Sequence, residues 1–147
     1  MMNEPIKSIM STNLITVAPT TKLSEVRSIF MKHKIHHLPV VRDHILVGMI
    51  TTYDLWKSEV SPKEYAATTV YQVMCKSVVR LSKTDKVGTA AELFLDNRFH
   101  ALPVVDRENR LIGLVTSFDV LLYEFKKEYP QPILFKHLYE KPTRLSA

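Results

Sequence analysis

The chain says nearly the same thing twice. "IHHLPVV" begins at Ile35 and "FHALPVV" at Phe99, so Pro39 and Pro103 stand 103 − 39 = 64 positions apart. The same offset pairs Met10 with Met74, Leu23 with Val87, Phe30 with Phe94, and His36 with His100. One residue is gained past the prolines: Gly48 pairs with Gly113, 113 − 48 = 65, and "GMITTYDL" meets "GLVTSFDV". A register held over roughly forty positions, with a single shift in a turn, is an internal duplication.

Duplication constrains the fold through size. A repeat of about 60 residues is near the lower limit for folding alone, because it buries only about 60% of its chain's surface. Two repeats sharing one core is therefore the expected solution, and 147 residues suit one module. We expect a first repeat over 5–60, a connector over 61–70, a second repeat over 71–127 and a tail over 128–147. The 46% apolar and 24% charged fractions are ordinary for a globular protein.

Several function classes recede on composition. No apolar stretch approaches the roughly 20 residues needed to span a bilayer. "MMNEPIKSIM" has no apolar run of the secretory kind. Cys75 is the only cysteine, which excludes an internal disulfide and fits a reducing compartment. These features lead us to expect a soluble, cytoplasmic protein without a membrane partner. The net charge of +5 is scattered over "KHK" at Lys32, "KK" at Lys126 and single residues. With no basic block and no interleaved aromatics, it reads as a solvated surface rather than a nucleic-acid stripe. An excess of positive charge also suits phosphate-bearing small molecules.

Each repeat spells strand, helix, strand, strand, helix. "LITV" at Leu14 is a β-branched run stopped by Pro19. Leu23, Val26, Ile29, Phe30 and His33 then recur at helical spacing, with Thr21 as a plausible N-cap. The second repeat matches this with Asp85, then Val87, Ala90, Leu93 and Phe94. "LPVV" suits a buried strand with its proline near the start. "ILVGMI" and "RLIGLV" follow as strands, and helices begin near Thr52 and Ser117. Beyond Glu128, prolines 130, 132 and 142 fence off "ILFKHLYE", a candidate helix that either covers core or docks onto a partner.

The residues that bear on chemistry form Gly–apolar–apolar–Thr–x–x–Asp, twice: Gly48, Thr51, Asp54 and Gly113, Thr116, Asp119. Each copy sits where a strand hands over to a helix, whose free N–H groups favour phosphate. A threonine hydroxyl there can donate to a phosphate oxygen, and a carboxylate one turn on can accept from both hydroxyls of a ribose. The same pattern also reads as a helix capping box, and on its own that structural reading comes first. The glycine permits close backbone approach by a ligand.

Together, "IMSTNLITVAPTTKLSEVRSIFMKHKIHHLPVV" with "LVGMITTYDL", and "VMCKSVVRLSKTDKVGTAAELFLDNRFHALPVVD" with "LIGLVTSFDV", resemble two CBS domains. The pair resembles a Bateman module over about residues 5–125. The resemblance implies an α/β fold of two β-α-β-β-α repeats related by a pseudo-two-fold axis and packed as one globular module. It also implies a binding module rather than an enzyme, with AMP, ADP, ATP or S-adenosylmethionine as candidate ligands and no required cofactor. A homodimer signalling through an effector protein or a change of assembly is the implied output.

Carried over residue by residue, the resemblance makes Thr51 and Thr116 phosphate or ribose contacts, and Asp54 and Asp119 ribose acceptors. Lys34, His36 and His37, with Arg98 and His100 in the second repeat, match the basic positions ahead of the "LPVV" strand. The base would lie on the leading strand of the opposite repeat. Asn13, Leu14 and Ile15 would then face the site of Asp119, and Ser77, Val78, Val79 and Arg80 that of Asp54. Arg80 replaces Thr16 and Ala101 replaces His37, so the two sites are expected to be unequal.

Other readings stay open. An interaction scaffold with empty or vestigial clefts is the alternative function. "HKIHH" could ligate metal, but no Cys or carboxylate has matching spacing, and adjacent strand residues point to opposite faces. Cys75 has no neighbouring histidine and reads as a surface thiol. Trp56 and Tyr123, on the helices that follow each aspartate, serve either the core or a dimer face.

Overall fold

The computed structural model describes residues 2–96 and 98–131. The reading of "ILFKHLYE" as a helix falls outside them. Among the described residues no helix is long and apolar enough to cross a membrane.

Helical spacing of apolar residues gives α1 (Leu23–His33), which buries Leu23, Val26 and Phe30, and α3 (Val87–Leu95), which buries Val87 and Ala90. His33 is exposed, so the apolar face of α1 stops a turn short of the expected one. α1 ends at Lys34 in the left-handed conformation, φ 52°. The "LPVV" runs become β1 (His37–Arg42) and β4 (Ala101–Val105). They pair antiparallel with β2 (Ile45–Thr51) and β5 (Leu111–Thr116). The first hairpin turns on Asp43 and His44, both at positive φ, as tight two-residue hairpins require. α2 (Thr52–Lys57) and α4 (Ser117–Glu128) follow directly on β2 and β5.

The leading strand is shorter than "LITV" suggests. In the second repeat it is β3 (Leu81–Ser82), parallel to β4 with Leu81 opposite Val104. In the first repeat only Val17 pairs, opposite Val40, at the same register by the 64-residue offset. Its N–H donates to Pro39 O (3.1 Å) and its carbonyl accepts from Val41 N (2.9 Å). Residues 14 and 15 carry no strand: by this register Ile15 O would face the nitrogen of Pro39, which has no N–H to give the ladder.

Thr21 and Asp85 also act differently from N-caps. Thr21 Oγ1 accepts from Ala18 N (3.0 Å) and Asp85 Oδ2 from Ser82 N (2.7 Å), closing the turn ahead of each helix. The N-caps are Lys22 and Lys86, without side-chain bonds. Backbone carbonyls satisfy the orphan helix N–H groups instead. Thr68 O accepts from Leu23 N (2.9 Å), and Glu4 O from Val87 N (2.8 Å).

Those two bonds disclose an exchange of segments. The stretch that leads into the second repeat, with Val70 and Met74, completes the first core with Val17, Leu23, Val26, Phe30, Leu38, Val40 and Ile50. The N-terminal stretch, with Ile6, completes the second core of Leu81, Val87, Ala90, Leu102, Val104, Val115 and Val120. The expectation of one shared core is therefore corrected: there are two cores, each closed by the other repeat's leading segment. A half too small to bury enough apolar surface alone gains it by this exchange.

The two halves meet around a pseudo-two-fold axis. Ile45 bridges Arg110, its own counterpart at an offset of 65. Leu46 N donates to Asn109 O and Leu111 N to His44 O, both at 3.0 Å.

The repeated glycines serve the exchange. A Cβ on Gly48 would stand 2.7 Å from Cys75 O and 2.9 Å from Met74 Sδ; one on Gly113 would stand 2.5 Å from Met10 Sδ. Close approach is thus made by the crossing chain and its methionine, not by a ligand, which corrects the sequence-based expectation.

Candidate functional site

Two clefts open along the seam between the halves. Cleft A, about 580 Å³, is lined by residues 13–15, Lys34, His36, His37, His100, Thr116 and Asp119, together with Ser11, Ile35, Leu114, Ser117 and Phe118. Cleft B, about 770 Å³, is lined by Thr51, Asp54, Ser77, Val78, Arg98, His36, His37 and His100. Met49, Thr52, Tyr53, Lys57, Cys75, Phe99 and Ala101 complete its wall. Both volumes fall within the roughly 300–1,000 Å³ usual for small-molecule sites. Each cleft joins the helix start of one repeat to the leading segment of the other.

The helix starts are built alike. Thr51 N donates to Asp54 Oδ2 (2.9 Å) and Asp54 N to Thr51 Oγ1 (3.0 Å). In the second copy Thr116 N (2.8 Å) and Thr116 Oγ1 (3.0 Å) both donate to Asp119 Oδ2, while Asp119 N donates to Thr116 Oγ1 (3.3 Å). Both motifs are capping boxes. In each, Oδ2 is the carboxylate oxygen bonded to the helix start. Asp54 is buried, with Lys57 Nζ 3.8 Å from Oδ1. Asp119 is half-buried.

The segments ahead of β1 and β4 supply the shared wall. His36 and His100 are counterparts in the two repeats, and both border both clefts. His36 precedes β1, so strand alternation does not separate it from His37. His37 and His100 have ring centroids 6.4 Å apart. Burial of the His37 ring, with His100 and then His36 nearby, pushes it down to about 4, against a smaller pull upward from Asp54. It is therefore neutral at pH 7. Among the described residues no group of three or more His, Cys, Asp or Glu is placed to hold a metal ion.

Two expected residues fall outside the clefts. Val79 packs against the second core. Arg80 turns back to donate to Val78 O (3.1 Å) and Leu46 O (3.4 Å), so it neither fills cleft B nor points along it. Sequence reasoning also passed over several lining residues. Tyr53 and Phe118 precede the two aspartates at matching positions, and that doubled aromatic was the available signal. Cys75 is an exposed thiol, as expected, and it also lines cleft B at the place that Ser11 holds in cleft A. Lys57 is matched by Leu122, and no periodicity marks it. Trp56 is 80% exposed, whereas Tyr123 packs against the second core.

Comparison with known proteins agrees with this architecture. The CBS domain family matches residues 6–55 and 70–126. The inosine-5'-monophosphate dehydrogenase of Methanocaldococcus jannaschii is 38% identical over 120 residues, which are 81% of this chain and 23% of that enzyme. The chain spans less than half the length of several curated relatives it matches, from 22% to 47%. Among solved structures, Arabidopsis thaliana CBSX2 in complex with AMP is similar at a TM-score of 0.75 and 25% identity. That match covers 84% of this chain and 97% of CBSX2. The CBS domain pair of protein MJ0100, in complex with 5'-methylthioadenosine and S-adenosyl-L-methionine, gives 0.73 and 31%, with the same coverage.

Proposed function

This chain belongs to the CBS-domain family, and from that premise we propose that it is a regulatory module that binds an adenosine-containing ligand in the clefts between its repeats. The observation that carries the reading is the doubled cleft. In each, a threonine and aspartate at a helix start face the opposite repeat's leading segment across an imidazole wall. Apolar residues such as Leu14, Ile15 and Val78 suit a flat base. The helix-start N–H groups and cationic side chains suit phosphate, and the aspartate suits the ribose hydroxyls. Structures of similar proteins with AMP and with S-adenosyl-L-methionine support this ligand class.

Within this reading the repeats sense rather than catalyse, as regulatory binding modules of this family do. Output passes to an effector protein or to a change of assembly in a homodimer, in the cytoplasm. The shift transmitted is limited to the ligand's differential affinity for the two states. The capping boxes favour one other reading, a scaffold in which both aspartates serve only their helices.

Thermal unfolding with AMP, ADP, ATP and S-adenosylmethionine separates the two. A ligand at 100 times its dissociation constant stabilises by about 2.7 kcal/mol. Stabilisation by one of these ligands, reduced in Thr51→Ala/Asp54→Ala, supports sensing. An unchanged melting temperature across the whole panel supports the scaffold.

A further inference from the structure

The two clefts are not separate rooms. His36, His37 and His100 border both, and the His37 and His100 rings stand 6.4 Å apart at a 44° tilt. We propose that this shared imidazole wall couples the clefts negatively, so that a phosphate-bearing ligand in one weakens the binding of a second in the other. The inference rests on the ligand reading above and adds regulation to it.

The reason is the limited supply of donors. A neutral imidazole has one N–H and one acceptor nitrogen. Held neutral by burial and by its two histidine neighbours, His37 can turn its N–H to only one side. A first phosphate that accepts this N–H leaves a second one only the acceptor nitrogen of the ring. Each cleft also has cations of its own, Lys34 in A and Lys57 and Arg98 in B, but these are not shared. Arg98 is in addition paired with Asp96 at 2.6 Å. The coupling is thus specific to ligands whose anionic end reaches the wall, and a ligand without phosphate escapes it.

Calorimetric titration of the full chain with AMP tests this, with adenosine as the uncharged control. Asp54→Ala and Asp119→Ala each leave one working cleft and so supply the two intrinsic affinities. In the unsubstituted protein the second AMP is expected to bind at least about fivefold more weakly than those affinities require, the lower end of usual coupling. Adenosine should show no such gap. His37→Ala places at β1 the residue that already opens β4, and it should narrow the gap; His37→Ala/His100→Ala should close it. Should the double variant fail to fold, His100→Gln, which retains a polar group, should narrow the gap in its place. A wild-type isotherm equal to the sum of the two single-cleft isotherms would overturn the coupling alone. So would a gap that adenosine reproduces or that survives all the histidine substitutions. Absence of AMP binding in every protein would overturn the ligand reading and the coupling together.

Discussion

Cleft A and cleft B descend from one sequence written twice, yet their walls differ while their supports do not. Thr51 and Thr116 cap α2 and α4 with the same reciprocal capping box, Gly48 and Gly113 admit Met74 and Met10, and Val17 and Leu81 pair at one register. Along the walls, Lys57 faces Asp54 where Leu122 follows Asp119, Cys75 replaces Ser11, and Ala101 replaces His37. Positions that hold the chain's crossing are fixed by sterics. Positions that face the opening are constrained only by what enters it. The two clefts therefore share a geometry but not a chemistry, with one more cation in B.

The largest effect expected from breaking this comparison comes from the exchanged segments. Ile6 is fully buried in the second core although it begins the first repeat. Ile6→Ala should cost about 2–5 kcal/mol by the lost burial and the cavity left behind. In hydrogen exchange, protection should fall in β4 and β5 more than in β1 and β2. Loss confined to the first hairpin would contradict the exchange.

The glycines sharpen it next. At Gly48 an added methyl meets a backbone carbonyl, Cys75 O at 2.7 Å, which cannot move without the crossing strand. At Gly113 the nearest atoms belong to the Met10 side chain, Sδ at 2.5 Å and Cγ at 3.0 Å, which can turn about their own bonds more readily than a backbone carbonyl can move. Gly48→Ala should cost about 1–3 kcal/mol as an overpacked site, and Gly113→Ala under about 1 kcal/mol. Denaturant unfolding of both variants checks the order.

A smaller asymmetry is titratable. His37 has no counterpart in the second repeat, and its folded value of about 4 lies below the ordinary 6.5. Between those values the unfolded chain holds a proton that the folded one does not. Its contribution is therefore fully present above pH 6.5 and is lost as pH falls toward about 4. The slope is at most about 1.4 kcal/mol per pH unit, and less here because the ring is only half-buried. His37→Ala should flatten it. The smallest effect is at Lys57, exposed apart from its contacts with Asp54 and the Tyr53 ring. Lys57→Leu, which copies Leu122, should weaken ATP in cleft B by up to about fivefold, a contribution of about 1 kcal/mol, and leave cleft A unchanged.

Much of this architecture was legible in the sequence because duplication acts as a check on itself. Residues such as Leu23 with Val87, or Val40 with Val104, carry apolar patterns that confirm one another at a fixed offset. The juxtaposition of residues 13–15 with Asp119, and of Ser77 and Val78 with Asp54, followed from the family resemblance. What escaped were features decided by distant chain. Nothing local to Gly48 says that Cys75 crosses above it. Nothing in "LITV" says that Ile15 comes to lie against Pro39, which has no N–H for the ladder. Arg80 reads as a free cation until Leu46 O is known to stand within its reach. Thr21 and Asp85 have the right chemistry for capping, but the carbonyls of Thr68 and Glu4 reach the helix first.

The most direct test is a crystal structure of the chain soaked with AMP at saturating concentration. The account predicts adenosine density in at least one cleft. In cleft A the ribose hydroxyls should lie on Asp119 and the base along residues 13–15; in cleft B they should lie on Asp54 and beside Ser77 and Val78. AMP bound elsewhere on the molecule, or both clefts empty while calorimetry shows saturation, would contradict it.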